Sequence, residues 1–199
     1  TGLPVREAIR AGEPRRGREY LGLDEGQRIM LVLGGSLGAR VLNQMISNVK
    51  DELTRDWVVV HQTGSQEDEV NINEPFYRTQ PYFDDELPDL LAAADLVVSR
   101  AGATAIAEFA ATGTSAVLVP LSRTTSRGEQ IINARLVEAA GAAEVLAPGA
   151  QTASGLLRCC RKLVDDRIRF RMADAMRTLD RPNATSDVVQ HTLSTVGID

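Results

Sequence analysis

Glu108 is a single carboxylate among Ala105, Ile106, Ala107, Phe109 and Ala110. A carboxylate in so apolar a stretch needs a partner. A ribose suits it, because two neighbouring hydroxyls can each donate a charge-assisted hydrogen bond. The competing explanation is a solvated helix face. Just upstream runs Ser99-Arg100-Ala101-Gly102-Ala103-Thr104, and earlier Gly34-Gly35-Ser36-Leu37-Gly38-Ala39. In both, small residues stand where an apolar run gives way to a helical pattern. Glycine there allows a tight turn and close backbone approach, and a helix N-terminus offers free N–H groups and partial positive charge. Neither segment has the G-x-G-x-x-G spacing of a dinucleotide site or the Lys-Ser/Thr of a Walker A loop. Singly, each also reads as an ordinary strand–helix turn. Two in one chain fit a phosphate-bearing ligand better than one.

Further along, Pro120-Leu121-Ser122 leads through Gly128 to Glu129, Gln130 and Asn133. Gln130 and Asn133 are three apart and share a helix face. Amides donate and accept, which suits sugar hydroxyls. Standing alone, this segment reads better as the polar side of a surface helix. His61 is a candidate base, but a satisfied buried histidine is the preferred reading. Asp84-Asp85-Glu86 resembles a metal-binding cluster, yet fits better as charge at the N-terminus of a helix from Leu87. No His/Cys/Asp spacing supports a metal site; no metal and no cofactor is expected. No Ser-His-Asp grouping is evident.

The elements that must position these residues are legible. Short unbroken apolar runs occur at 29–33, 57–60, 95–98 and 116–119, with a weaker one at 143–146 and one more expected at 79–83. Runs without alternation suit strands buried on both faces. Between them lie helical patterns. Residues 39–53 place Val41, Leu42, Met45, Ile46 and Val49 on one stripe, and 87–94, 103–112 and 128–140 also read as helices. The alternation predicts an α/β fold, a doubly wound, mostly parallel Rossmann-like sheet of about six strands. Three helices without strands are expected near 153–164, 167–180 and 184–196. Residues 1–26 are polar and punctuated by Gly2, Pro4, Gly12, Pro14 and Gly17, which reads as a linker with a short leading helix at best. The folded domain is then 27–199. In such a sheet ligands lie beyond the carboxyl ends of the strands, where the segments above fall.

Composition narrows the function. The chain has 199 residues, 43% hydrophobic, enough for a core. Its net charge of −5 argues against nucleic acid as a partner. The two cysteines, Cys159 and Cys160, are adjacent, too close for an ordinary disulfide, so the chain reads as cytosolic. They are expected to pack inside a helix. No apolar run approaches the ~20 residues that span a bilayer. Arg15, Arg16 and Arg18, with Arg158, Arg161 and Lys162, could form a local basic patch towards an anionic membrane. The first residue is Thr1 rather than Met, so a processed product or a piece of a longer chain is expected.

Four stations occur in order: Gly34–Ala39, His61-Gln62-Thr63-Gly64, Ser99–Thr104 with Glu108, and Pro120–Ser122 with Glu129-Gln130 and Asn133-Ala134. Together with Gly2-Leu3-Pro4-Val5-Arg6 they resemble the C-terminal half of the MurG family, peptidoglycan N-acetylglucosaminyltransferases of glycosyltransferase family 28. The likeness covers nearly the whole chain. It implies one half of a GT-B fold and a hexosyltransferase. Its donor would be UDP-N-acetylglucosamine, and its acceptor a lipid-linked muramyl-pentapeptide (lipid I to lipid II) at the cytoplasmic membrane face. By the same resemblance Arg6 and Ser36 would contact the diphosphate. The backbone around Phe83 would read the uracil edge. Ala103, Thr104 and Ala105 would offer amides to the phosphates, Glu108 would hold the ribose and Gln130 the sugar. Two positions depart from the family pattern: Leu3, where relatives often have Asn, and Glu129, where some have Gln. The acceptor site and the catalytic base would belong to an N-terminal domain or partner subunit. The alternatives are a stand-alone donor subunit with a membrane-bound partner, a UDP-N-acetylglucosamine epimerase half using His61 and Glu129, and a non-catalytic nucleotide-sugar-binding module.

Overall fold

The computed structural model describes residues 1–35, 39–64, 72–123 and 126–197. Its strands are β1 (Ile29–Leu33), β2 (Val58–Gln62), β3 (Asn73–Glu74), β4 (Tyr77–Gln80), β5 (Leu96–Ser99), β6 (Ala116–Leu118) and β7 (Ala143–Val145). They form one seven-stranded sheet in the order β3-β4-β2-β1-β5-β6-β7. Every pairing is parallel except that of the two-residue β3 with β4. The sheet is thus doubly wound and mostly parallel as expected, with β3 as an addition. The run expected at 79–83 starts earlier and stops at Gln80, leaving Phe83 beyond the strand.

Burial explains the unbroken apolar runs. Ile29, Leu31 and Leu33 enter one core cluster, while Met30 and Val32 enter another on the opposite face. Val97 and its neighbours Leu96 and Val98 divide in the same way. A strand covered on both faces has no solvent side for polar residues to occupy.

The helices are α1 (Glu7–Arg10), α2 (Pro14–Leu21), α3 (Arg40–Asn48), α4 (Lys50–Leu53), α5 (Leu87–Ala93), α6 (Ala103–Thr112), α7 (Glu129–Ala139), α8 (Ala153–Lys162), α9 (Asp166–Arg177) and α10 (Ala184–Thr195). The helix expected over 39–53 is two. Val49 sits between α3 and α4 at φ −128° and ψ 19°, outside helical geometry. Its β-branched side chain turns into the core instead. Val41, placed on the apolar stripe by spacing, is exposed, whereas Asn43 is buried in its stead.

Residues 1–26 hold two helices docked on the sheet domain. Ile9 and Leu21 are buried in the core, and α2 packs along α5. The contact needs Gly17: a Cβ there would stand 2.3 Å from the Asp89 carbonyl oxygen. Arg10 closes the same region through a two-pronged pair with Asp180, both bonds 2.8 Å. The glycines read as linker punctuation are in part packing residues.

The two groups of basic residues lie apart. Helix α2, with Arg15, Arg16 and Arg18, packs with α5 on one side of the sheet. Helix α8, with Arg158, Arg161 and Lys162, packs with α3 on the other. They cannot form one patch. Arg15, Arg16, Arg18 and Lys162 also have acidic partners in Glu19, Glu13, Asp95 and Glu144.

A candidate nucleotide-sugar site at the strand ends

The chain builds from β1 outward through β2 and β4, then returns to the other side of β1 as β5. That reversal makes a crevice at the carboxyl ends of β1 and β5. Leu33 and Ser99 are paired there, and the Ser99 hydroxyl donates to the Leu33 carbonyl at 3.1 Å. The two small-residue segments therefore leave the sheet side by side. Gly35 turns at φ 85°, a conformation that side chains resist. Ser36, the expected diphosphate contact that follows, lies outside the described residues.

Helix α6 opens directly from the second segment. Gly102 is its N-cap, and the first helical bond runs from Ile106 N–H to the Gly102 carbonyl at 3.0 Å. The amides of Ala103, Thr104 and Ala105 precede it and have no acceptor within the helix. No side chain caps them. Ala103 and Thr104 are exposed and Ala105 is half-buried, and this helix start lies just beyond the carboxyl end of β5.

Glu108 lies one turn further along α6. Its side chain is only 15% exposed and its Oε1 is 3.6 Å from an Arg6 guanidinium nitrogen. Burial raises its pKa, and the Arg6 charge pulls it back. It is not a solvated face residue. The carboxylate has the partner its setting demanded, supplied by the segment leading into α1. Arg6 and Glu108, expected to contact different parts of one ligand, thus stand together.

The amides of α7 reach the same mouth, and part of their capacity is committed. Gln130 Oε1 accepts from Leu121 N–H at 3.1 Å, holding the loop after β6. Asn133 Nδ2 donates to the Ala101 carbonyl at 3.1 Å, holding the loop after β5. Glu129 is exposed at the start of the helix. The Phe83 ring is core, and its N–H donates to Gln62 Oε1 at 3.1 Å. The fold thus turns that amide inward.

Other sequence candidates fall away from the crevice chemistry. His61 is buried, with Nδ1 2.9 Å from the Tyr77 hydroxyl and Nε2 3.0 Å from Asn43 Oδ1. The Asn43 amide nitrogen donates to the Thr63 carbonyl, so Oδ1 is left to accept and Nε2 carries the proton. Burial lowers the His61 pKa to about 4. Both nitrogens are engaged, which removes it as a base. Glu86 is at the N-cap of α5 but makes no side-chain cap; its carboxylate accepts from Asp84 N–H at 3.2 Å. The acidic run closes on itself instead of capping the helix. Cys160 is buried among Leu156, Leu163 and Met172, and burial raises the pKa of both cysteines.

Residues 29–188 match the glycosyltransferase family 28 C-terminal domain. The chain belongs to this family. Among its curated relatives is the UDP-N-acetylglucosamine–N-acetylmuramyl-(pentapeptide) pyrophosphoryl-undecaprenol N-acetylglucosamine transferase of Clostridium perfringens. It is 36% identical over 85% of this chain and 48% of its own length. An enzyme of the same name, numbered 2, from Bacillus cereus is 35% identical over 96% of this chain and 54% of its own. The chain thus spans about half the length of the curated relatives it matches. The crystal structure of MurG from Acinetobacter baumannii superposes with a TM-score of 0.73 at 26% identity, covering 94% of this chain and 56% of that one. The calicheamicin glycosyltransferase CalG4 shares the fold at a TM-score of 0.59 and 20% identity, over 87% of this chain and 44% of that one. The family's fold is one half of a GT-B glycosyltransferase, and the doubly wound sheet described above is that half.

Sequence reasoning passed over the ties that hold the crevice together: Asn133 to Ala101, Gln62 to Phe83 and Arg100 to Val119. A side chain bonding a distant main-chain group leaves no periodic signal.

Proposed function

We propose that this chain is the donor half of an N-acetylglucosaminyltransferase, holding UDP-N-acetylglucosamine while a second domain or subunit presents a lipid-linked muramyl-pentapeptide. One observation carries the reading. A largely buried carboxylate, Glu108, lies one turn beyond three uncapped helix amides, at the switch point of a sheet shared with glycosyltransferases. The kinship with named N-acetylglucosamine transferases supplies the sugar and the acceptor.

The roles follow from the chemistry. Transfer breaks the bond between the sugar's anomeric carbon and the β-phosphate oxygen, so negative charge grows on the departing UDP. Amides of Ala103, Thr104 and Ala105, aligned with the α6 dipole, stabilise that charge without reorganising. Arg6 and Ser36 add to it. Glu108 accepts from the ribose hydroxyls, and the free amide nitrogen of Gln130 donates to a sugar hydroxyl. The Phe83 backbone reads the base through its carbonyl, since its N–H is engaged. The base that deprotonates the acceptor hydroxyl must lie within about 3 Å of it. His61 is buried with both nitrogens bonded, so that base belongs to the acceptor half. Residues 1–26 are the connection to it and 27–199 the donor domain. A lipid-linked acceptor supports a peripheral seat at the cytoplasmic membrane face; no helix among the described residues is long and apolar enough to cross a membrane.

The test is an assay with UDP-N-acetylglucosamine and a lipid-linked muramyl acceptor, with this chain alone and with the acceptor half of a relative added. Turnover is expected only from the pair. Turnover by the chain alone would refute the division of roles, and none from the pair would refute the acceptor.

A further inference from the structure

Arg100 is the basic residue within the Ser99–Thr104 segment, and neither its burial nor its bonding is explained by the rest of the chain. Its guanidinium donates from one terminal nitrogen to the Val119 carbonyl at 3.0 Å, spanning the ends of β5 and β6. Its Nε is buried and has no hydrogen-bond partner. Among the described residues one other buried side-chain donor, Arg78 Nε, is in that condition, and its guanidinium bonds the Leu21 carbonyl. Burial lowers the Arg100 pKa with no carboxylate acting against it. Arg169 and Arg10, unlike Arg100 and Arg78, sit beside carboxylates. Arg169 has Asp166 and Asp95, and Arg10 has Asp180.

A half-buried cation without an anion is costly, and an orphan N–H adds to the cost. Such a group is kept where an anion arrives from outside. The neighbouring groups narrow which anion. Arg100 directly precedes the loop whose carbonyl Asn133 holds and whose end is the uncapped start of α6. The paired strand end beside it carries Gly34 and Gly35. An arginine offers two or more donors in a plane, which matches phosphate oxygens.

We propose that Arg100 is a binding residue for the diphosphate of a ligand, pairing its charge and its remaining terminal N–H donors with the phosphate oxygens while its bond to Val119 fixes the guanidinium in place. This rests on the donor reading above. Two sources share the chemistry: the nucleotide sugar and a lipid-linked diphosphate acceptor. Because Arg100 shares its strand-end loop with α6 and Glu108, the nucleotide is the occupant.

The experiment is calorimetric titration of the chain with uridine, UDP and a short-chain prenyl diphosphate, for the parent, Arg100→Gln and Arg100→Lys. Folding is checked by thermal unfolding. Arg100→Gln should bind UDP at least tenfold more weakly and uridine within twofold of the parent, with Arg100→Lys in between. Loss of UDP and uridine in equal proportion, or no loss, would overturn the proposal and leave the donor reading intact. A parent that binds no UDP would overturn both. If prenyl diphosphate alone responds to the substitution, the nucleotide assignment is wrong. Should Arg100→Gln not fold, the Nε–H resonance of Arg100 in the nitrogen-15 spectrum of the parent decides. It should shift on adding UDP and stay in place on adding uridine; the same response to both would overturn the proposal.

Discussion

Arg6 and Glu108, more than a hundred positions apart in sequence, meet across 3.6 Å at the mouth of the crevice. The arginine side chain is 57% exposed and the carboxylate 15%, so the pair joins an exposed cation to a largely buried anion. An exposed partner makes the bond weak, and each member is available to a ligand that offers more. Ribose hydroxyls would relieve Glu108, and phosphate oxygens would take Arg6.

The first prediction concerns Glu108. Glu108→Ala should weaken UDP binding by about 1.5–3 kcal/mol, the value of hydrogen bonds to a charged group, or roughly ten- to a hundredfold. Calorimetry measures it. Equal affinity in parent and variant would end the ribose role. Arg6→Ala should raise the Glu108 pKa further, because the Arg6 charge is what holds it down against burial. Carboxyl carbon-13 titration reads that shift, and a fall or no change would disprove the coupling.

Gln130→Ala separates sugar from nucleotide. It should leave UDP affinity near the parent value and reduce affinity for UDP-N-acetylglucosamine several-fold. The bond to Leu121 N–H makes Gln130 a loop support as well. Equal losses for both ligands would mean that support is its whole role.

His61 gives the fold a pH dependence. Its folded-state pKa is lowered from 6.5 to about 4 by burial. The unfolded chain therefore binds the proton more readily between those values. Stability from this group is complete above pH 6.5 and is lost as pH falls towards 4, on the order of 3 kcal/mol over the window. Urea unfolding at stepped pH should show that slope in the parent and a flatter one in His61→Gln. Parallel curves would refute the assignment.

Gly17→Ala should destabilise the chain by roughly 1–3 kcal/mol through overpacking, because its Cβ would fall 2.3 Å from the Asp89 carbonyl oxygen. Gly22→Ala does not serve as a control, since its φ of 60° penalises any side chain. Arg15→Ala does serve, as its pair with Glu19 is exposed. Chemical denaturation that ranks Arg15→Ala as the more damaging would contradict the docking of α2 on α5.

Asp180 adds a loss of stability in the same direction, at lower pH. Its bonds with Arg10 hold the carboxyl below its ordinary range. Their contribution is present above the unfolded carboxyl pKa and disappears as pH falls through the folded one. Asp180→Asn should remove that part of the acid sensitivity, measured as a smaller loss of Tm on acidification; an unchanged loss would count against it.

The sequence by itself determined the layered fold and which residues stand out as candidates at the strand ends. Unbroken apolar runs admit no solvent face, so β1, β2, β5 and β6 had to be inner strands of a covered sheet, and α6 was legible to its ends. The same local patterns located Glu108, Gln130 and the small-residue turns, because those positions announce themselves by contrast with their neighbours. Only the tertiary structure decided the pairings. The meeting of Arg6 with Glu108, the capture of Gln62 by Phe83 N–H and the burial of His61 between Tyr77 and Asn43 join residues from separate elements. So do the orphaned donor of Arg100 and the close fit of Gly17. The physical reason is range. Periodicity reports which face of one element is buried, whereas a bond between side chain and distant backbone depends on how elements dock. A glycine that makes a turn and a glycine that admits a neighbouring helix carry the same letter.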